Sequence, residues 1–469
     1  MLAVARGQAA PWPEPSGRDV GLQVAVSLAA ANYLDPVTLQ DQTAAPFLAS
    51  SAPPRAQRPR FSALADDVAF PPFGNQMPQH PPLFYLLAGT LVRLLALERL
   101  SWDVVVWLLR LLNVALATPL PLLAFLAARR LLAERVAVAA AVVPLTIPQL
   151  AHVGSTVNND GLLILTFGVL TVLLASVIAG DRDPRTALAV GAVGGLALLT
   201  KGFAILIPAW IVMVYAWTAV VTRARAQRAL RDGLLALGTA MAVGGWWWVR
   251  NLVRYGTVQP GGFPFPYTAP EVVQPRLVTL LEQAVVSLSA SYWGVFGWLQ
   301  LPLPAVLTSV ASAVALALVA VGLAARRELI LLAVPTLGSL AIVLWGAWEH
   351  YRVYDVIRGL QGRYLFAGVV GLAVIVACGA DRLLVWGSRG RVPPAGMLPL
   401  SLLAAAVALQ ATGAATLLDG FWSRPAGTGV VEGVRALLAW SPAPLRDIAL
   451  VASAAVAVCH LAAGAARQK

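Results

Sequence analysis

Charge is scarce in this chain of 469 residues: Asp, Glu, Lys and Arg together make up 12%, about half the share of a soluble domain. Hydrophobic residues reach 59%, which is more than a globular core of this size could bury. Lipid must be the solvent for most of these residues. The composition therefore excludes an ordinary soluble domain and predicts a membrane protein.

Residues that hold metals or form disulfides are also few. Cys378 and Cys459 both lie inside apolar runs, so we interpret them as packing residues rather than a disulfide. Four histidines show no metal-ligand spacing, and no Walker-type loop, GxSxG or CxxC occurs. The sequence therefore indicates no cofactor. A divalent metal remains an alternative, because His80 belongs to the same outer loop as several acids. Residues 1–20 do not form a cleavable signal peptide.

Long apolar segments predict an all-α polytopic membrane protein with about 11 transmembrane helices, since a span needs about 20 apolar residues. The predicted spans are 105–128, 136–153, 161–179, 186–200, 203–221, 233–249, 304–325, 329–347, 364–380, 396–417 and 445–466. Residues 104–469 are thus predicted to form a helical bundle with one long outer loop at 252–303. Residues 1–103 are predicted to form the first outer loop with juxtamembrane helices, one of them at 80–100.

The loops form two strictly alternating sets, and the loops of one set are short and dense in arginine. The positive-inside rule places the arginine-rich set in the cytoplasm and explains most of the net charge of +12, so nucleic-acid binding is not expected. An odd number of spans then places residue 1 outside, and we expect one further helix before it. We predict a multi-pass protein of the bacterial cytoplasmic membrane.

Five short polar motifs lie at span ends on the extracytoplasmic side of this topology. They are QHPPLFY (79–85), STVNNDG (155–161), LLTKGF (198–203), GWWWVRN (245–251) and LQGRYLF (360–366). Ionisable residues at such depths are candidates for function. The active face is therefore predicted to be extracytoplasmic.

Each motif residue also has a structural interpretation. Asp160 is either a functional carboxylate or an acid without a function at the end of a helix that Asn158 and Asn159 could cap. Lys201 either reaches towards lipid headgroups or contacts a phosphate. Arg363 and Arg250 are either headgroup anchors or bidentate phosphate ligands, and His80 is either an N-cap or a ligand.

The motifs together resemble the C superfamily of membrane glycosyltransferases, which use polyprenyl-phosphate sugars, and in particular its DUF2142-type branch. The matching pieces, in the family's order, are HPPLFYLL, VNNDGLL, LLTKGF, GWWWVRNLVRYG, SYWGVFGWLQLPLP (291–304) and QGRYLF. The resemblance implies a helical bundle whose first outer loop carries a catalytic acid.

The resemblance also implies roles for individual residues. In PWPEPSGRD, Glu14 is the first candidate for the loop acid and Asp19 the second, with Pro13 where the pattern has another acid. Asp160 matches the second outer-loop acid. We expect Arg363, Lys201 and Arg250 to bind the donor phosphate, and the substrate cavity to include His80, Asn159, Asn251 and Tyr364.

These residue types suit sugar transfer from a polyprenyl phosphate, which is a good leaving group. Cations would hold the departing phosphate while a carboxylate deprotonates the acceptor, and direct attack would invert the anomeric centre. The expected partners are a polyprenyl-phosphate-linked sugar donor, a glycan, lipid or protein acceptor, and membrane lipids. The enzyme interpretation predicts Glu14 or Asp19 within roughly 10 Å of Asp160.

Two other functions fit parts of the pattern. A transporter or lipid flippase would place polar residues midway through spans, where this chain has mostly Ala, Leu and Val. A catalytically inactive scaffold protein is suggested by Pro13 and by the expected missing helix.

Overall fold

The computed structural model describes residues 53–65, 80–221, 226–260, 273–297, 299–390, 394, 396–423 and 429–444. Glu14, Asp19 and the predicted span 445–466 lie outside these residues. The spacing predicted between the loop acids and Asp160 therefore stays a prediction.

The described residues are almost entirely helical, which confirms the predicted all-α fold class. Two residue pairs, β1 (Val295–Phe296) and β2 (Leu301–Pro302), form a short antiparallel ladder. The α-helices, numbered along the chain, are α1 Leu83–Leu94, α2 Trp102–Ala117, α3 Leu120–Leu131, α4 Glu134–Val142, α5 Pro148–Gly154, α6 Asp160–Ile178, α7 Pro184–Leu198, α8 Ile207–Val221, α9 Ala226–Ala240, α10 Trp246–Tyr255, α11 Leu277–Trp293, α12 Ala305–Ala325, α13 Ile330–Tyr354, α14 Val369–Gly387, α15 Met397–Leu417 and α16 Val430–Trp440.

Seven helical segments of the described chain are long and apolar enough to cross a membrane. They are Trp102–Leu131, Asp160–Ile178, Gly202–Val221, Ala305–Ala325, Arg327–Tyr354, Gly362–Gly387 and Met397–Trp422. Each coincides with a predicted span. An eighth, predicted at 136–153, is a helix pair bent by 70°.

Two other predicted spans are helical but do not form a single long apolar helix. The one at 186–200 corresponds to α7, which has 15 residues. The one at 233–249 is divided between α9, a π-helical turn at Met241–Gly245, and α10. Arg228, Arg231 and Asp232 lie in α9, so its first half is not apolar.

The described chain divides into two compact units. The larger unit comprises residues 80–91 and 110–414, and the smaller one 53–65, 92–109 and 415–444. Within the smaller unit, Arg58 forms a buried ion pair with Asp103. Arg58 also donates to the carbonyls of Ala439 and Trp440, at the C-terminal end of α16, where a cation complements the helix dipole.

A hydrophobic core cluster of the larger unit includes residues of α6, α7 and α8 together with Leu331 of α13. Pro335 lies inside α13 and has no N–H for the carbonyl of Leu331, four residues earlier. The indole N–H of Trp210, from α8, donates to that carbonyl over 2.6 Å. The ring of Trp210 also stacks on Phe167 of α6, with centroids 6.0 Å apart.

A close approach of α13 and α14 depends on a glycine. A Cβ on Gly371 would lie 2.1 Å from the carbonyl oxygen of Leu332. This packing brings the N-terminal ends of α6 and α14 and the turn before α8 into the same region, where the polar motifs lie.

Candidate functional site

Asn158, rather than Asp160, caps the start of α6. Its side-chain oxygen accepts from the backbone N–H of Asp160 over 2.8 Å and from that of Gly161 over 3.3 Å. The cap interpretation therefore applies to Asn158. It leaves the carboxylate of Asp160, which is only 4% exposed, for other partners.

The ammonium of Lys201 pairs with that carboxylate, although 41 residues separate the two in the chain. Lys201 is 7% exposed, so it does not extend towards lipid headgroups. The amide of Asn159 donates to the carbonyl of Thr200 over 3.3 Å and links the start of α6 to the lysine's turn. The LLTKGF and STVNNDG motifs thus form one site.

Tyr364 lies beside two cations of this site. The Lys201 ammonium is 5.3 Å from the centre of its ring, and the Arg363 guanidinium carbon is 5.2 Å from it. Phe203 stacks on the same ring with centroids 5.0 Å apart. These contacts hold the cations through an aromatic face, which does not neutralise their charge.

Arg363 lies close enough to Asp160 for the two charges to interact. Its Nε atom is buried and has no hydrogen-bond partner among the described residues. Asp160 therefore pairs with Lys201 and also interacts with the charge of Arg363, so the described residues of the cluster carry an excess of positive charge. A buried guanidinium N–H without an acceptor suits an anionic ligand.

Glycine is required immediately before Arg363. The N–H of Gly362 donates to the hydroxyl of Ser291 over 2.7 Å. A Cβ on Gly362 would lie 2.3 Å from the backbone nitrogen of Tyr292, on α11. The tight contact with α11 fixes the backbone from which Arg363 extends.

His80 also belongs to the cluster around Asp160. Burial, followed by the charge of Lys201, lowers the pKa of His80 to about 4, although Asp160 acts in the opposite direction. The imidazole is therefore neutral near pH 7. Its Nδ1 atom is buried without a hydrogen-bond partner in the described structure. The N–H of Leu83 donates to the carbonyl of Leu199 over 2.8 Å and joins this segment to the lysine's turn.

The GWWWVRN motif has contacts of its own. Arg250 donates to the side-chain oxygen of Asn251 over 3.1 Å, and its guanidinium lies 5.0 Å from the ring of Trp247. Asn251, fully buried, donates to the carbonyl of Val258 over 3.2 Å. The contacts recorded for Arg250 are local, and its role as a phosphate ligand stays a prediction.

Two neighbours of Asp160 were not among the predicted site residues. Tyr85 of α1 lies near enough to interact with the charge of Asp160. Asn113 of α2 is fully buried, and its Oδ1 would lie 2.7 Å from a Cβ on Gly161. The sequence does contain a signal for Asn113, because a polar residue inside the apolar stretch of a membrane-spanning helix is energetically costly and therefore indicates function.

The described residues contain no group of three or more His, Cys, Asp or Glu side chains that could hold a metal ion. Because Glu14 and Asp19 lie outside those residues, the predictions for the loop acids and for a metal are untested.

The apolar spans and the charged cluster at their ends define a multi-pass membrane protein with a buried, polar site. The chain belongs to the family described as predicted membrane protein DUF2142, whose model matches residues 47–372. The DUF2142-type membership inferred from the motifs is thereby confirmed.

Solved structures similar to this chain include those of ArnT and of an oligosaccharyltransferase. ArnT from Cupriavidus metallidurans in the apo state is 16% identical, with 90% of this chain and 75% of that chain covered and a TM-score of 0.45. The same protein bound to undecaprenyl phosphate gives the same identity and coverage and a TM-score of 0.43. The Archaeoglobus fulgidus oligosaccharyltransferase in complex with Zn and sulfate is 14% identical, with 71% and 44% covered and a TM-score of 0.36. No curated protein matches the chain.

Proposed function

We propose that this protein is a glycosyltransferase that takes a sugar from a polyprenyl-phosphate donor on the outer face of the bacterial cytoplasmic membrane. The observation that carries the proposal is the cluster of Arg363 and Lys201 around a single buried carboxylate, Asp160. An excess of buried positive charge at the end of a transmembrane bundle suits a lipid-linked phosphate. The motif resemblance supplies the sugar-transfer chemistry.

Arg363 is the principal donor-phosphate ligand in this proposal. Lys201 is paired with Asp160, whereas the Nε of Arg363 has no acceptor among the described residues. When the bond between the anomeric carbon and the phosphate breaks, negative charge accumulates on the polyprenyl phosphate. A guanidinium stabilises that charge with fixed, directional N–H groups, so it contributes more to the transition state than to the ground state.

The acceptor hydroxyl attacks the anomeric carbon from the face opposite the phosphate, and the configuration inverts. A base in the outer region removes its proton. Glu14, Asp19 and Asp160 are the carboxylates proposed for this region, and Asp160 is already held in an ion pair with Lys201. The acceptor is a hydroxyl-bearing glycan, lipid or protein.

The test uses the full chain, purified and reconstituted in lipid nanodiscs, with a panel of radiolabelled polyprenyl-phosphate sugars and membrane acceptors. Arg363→Ala should reduce transfer about 10²- to 10³-fold, as expected for loss of one preorganised charge contact. Arg363→Lys should recover part of it, because lysine keeps the charge but not the bidentate geometry.

Arg352→Ala is the matched control. The Arg352 side chain is 52% exposed and has only a 3.8 Å contact with Glu349, so its loss should leave transfer unchanged. Equal activity of Arg363→Ala and the parent would refute the assignment of the phosphate site. If the parent protein, reconstituted in closed vesicles, moves lipid-linked sugar from one leaflet to the other without transferring it to an acceptor, the result would support the flippase alternative instead.

A further inference from the structure

His80 is a described side chain of the charged cluster that can be neutral near pH 7 and can accept a proton. Two cationic side chains are described around Asp160. The ammonium of Lys201 forms an ion pair with the carboxylate, and the guanidinium of Arg363 stays protonated. Neither can accept a proton from a substrate. The Nδ1 of His80 is buried and has no partner in the described structure, and in the neutral tautomer protonated at Nε2 it carries a lone pair.

Asp160 is less suited to that task. The ammonium of Lys201 holds one of its oxygens, and Arg363 also interacts with its charge. Protonating the carboxylate would remove the favourable partner of two cations in a buried site. The carboxylate of Asp160 therefore balances the positive charges of Lys201 and Arg363 and orients the Lys201 side chain.

We infer that His80 is the catalytic base that removes the proton from the acceptor hydroxyl, an inference that rests on the proposed transfer reaction. The acceptor O–H proton moves to Nδ1 as the acceptor oxygen bonds to the anomeric carbon. The bond from that carbon to the phosphate oxygen breaks, and its electron pair leaves with the polyprenyl phosphate, beside Arg363. Solvent then takes the proton from the imidazolium.

The charges that face His80 suit this cycle. Burial and then Lys201 disfavour the imidazolium, whereas Asp160 favours it, so the ring is neutral before the reaction and has a carboxylate nearby when it becomes charged. Arg363 and Tyr85 are the other ionisable groups that interact with Asp160. With a pKa of about 4, His80 has the basicity of an ordinary carboxylate, which suffices for a base that acts as the hydroxyl oxygen forms its new bond.

The experiment compares His80→Ala and His80→Asn with the parent in reconstituted nanodiscs. Both variants should lower kcat about 10²- to 10⁴-fold and leave KM for the donor within about threefold. Added imidazole should restore transfer to His80→Ala, where a cavity is left. The rescue should grow as the free imidazole loses its proton, near pH ~6.5. His80→Asn fills the space, so imidazole should not rescue it.

His350→Ala is the matched histidine control. Its Nδ1 lies 2.7 Å from the carbonyl oxygen of Val356, and we assign it no part in transfer. Each variant is checked for folding by its thermal transition and by binding of polyprenyl phosphate.

Three results would overturn the inference: full activity in either His80 variant, a rise in donor KM with kcat unchanged, or inactivity of a folded His80→Ala that imidazole does not relieve. A parent that transfers no sugar from any donor would instead refute the proposed function. The two failures are therefore distinguishable.

Discussion

The Lys201–Asp160 ion pair allows the most direct test of the structure. Both side chains are buried, with exposed fractions of 9% and 5%. Lys201→Met keeps most of the lysine's apolar stem but removes its charge, which leaves a carboxylate in a region from which water is largely excluded. Removing one partner of a buried pair costs about 3–5 kcal/mol in the free energy of unfolding.

We expect about 3 kcal/mol for Lys201→Met, the lower end of that range. Arg363 still interacts with Asp160 and offsets part of the loss. The variant also loses the contact between the lysine ammonium and the ring of Tyr364, worth roughly 0.5–2 kcal/mol. Asp160→Asn should cost a similar amount, because it leaves two cations without their carboxylate.

The double variant Lys201→Met with Asp160→Asn should cost less than the sum of the single variants, with a coupling of about 2 kcal/mol. Unfolding of the purified protein in mixed micelles, followed by tryptophan fluorescence, measures all four free energies. The control cycle uses Arg352→Met and Glu349→Gln, a pair whose side chains are 52% and 39% exposed, and should show less than about 1 kcal/mol of coupling. Equal coupling in the two cycles would refute the buried pair.

Two further predictions concern packing. Trp210→Phe should destabilise the protein by about 1–3 kcal/mol, because the carbonyl of Leu331 loses its 2.6 Å donor inside the core. Gly362→Ala should lower transfer at least about tenfold while leaving a folded protein, because the new methyl group meets the backbone of Tyr292 and displaces Arg363. The first is measured as a free energy of unfolding and the second as kcat/KM.

Each of these has a control in the same chain. Pro335→Ala restores a helical N–H for the carbonyl of Leu331, so Trp210→Phe should cost less in that background. An equal cost in both backgrounds would show that the indole's hydrogen bond contributes nothing. A Cβ on Gly346 would meet nothing within 4 Å, so Gly346→Ala should leave transfer unchanged. A similar loss in both glycine variants would contradict the tight contact at Gly362.

The predicted spans were located well because their signal is local. A stretch of about 20 apolar residues favours lipid over water because of its own composition, whatever the rest of the chain does. Seven such stretches coincide with long helices of the described chain. A predicted span that does not form one long helix has the same explanation, because the prediction uses only local composition. The segment at 233–249 is apolar in composition, but a π-helical turn at Met241–Gly245 divides it between α9 and α10. That turn does not change the average hydropathy of the segment.

The roles of neighbouring polar residues could not be separated in the same way. Asn158, Asn159 and Asp160 are adjacent, and each could cap a helix. Their assignments depend on where Thr200 and Lys201 lie, and these residues are about 40 positions away in the chain. Local sequence does not encode such a distance.

The sequence by itself determined the solvent, the helical class and the family of this protein, because hydrophobic length and motif order are properties of the chain alone. Only the tertiary structure decided that Lys201 neutralises Asp160, that Tyr364 contacts two cations, and that His80 and Arg363 have unpartnered nitrogens within the described site. The physical reason is that these contacts join the ends of different helices. The packing of the helices, through contacts such as those of Gly362 and Gly371, sets which ends meet.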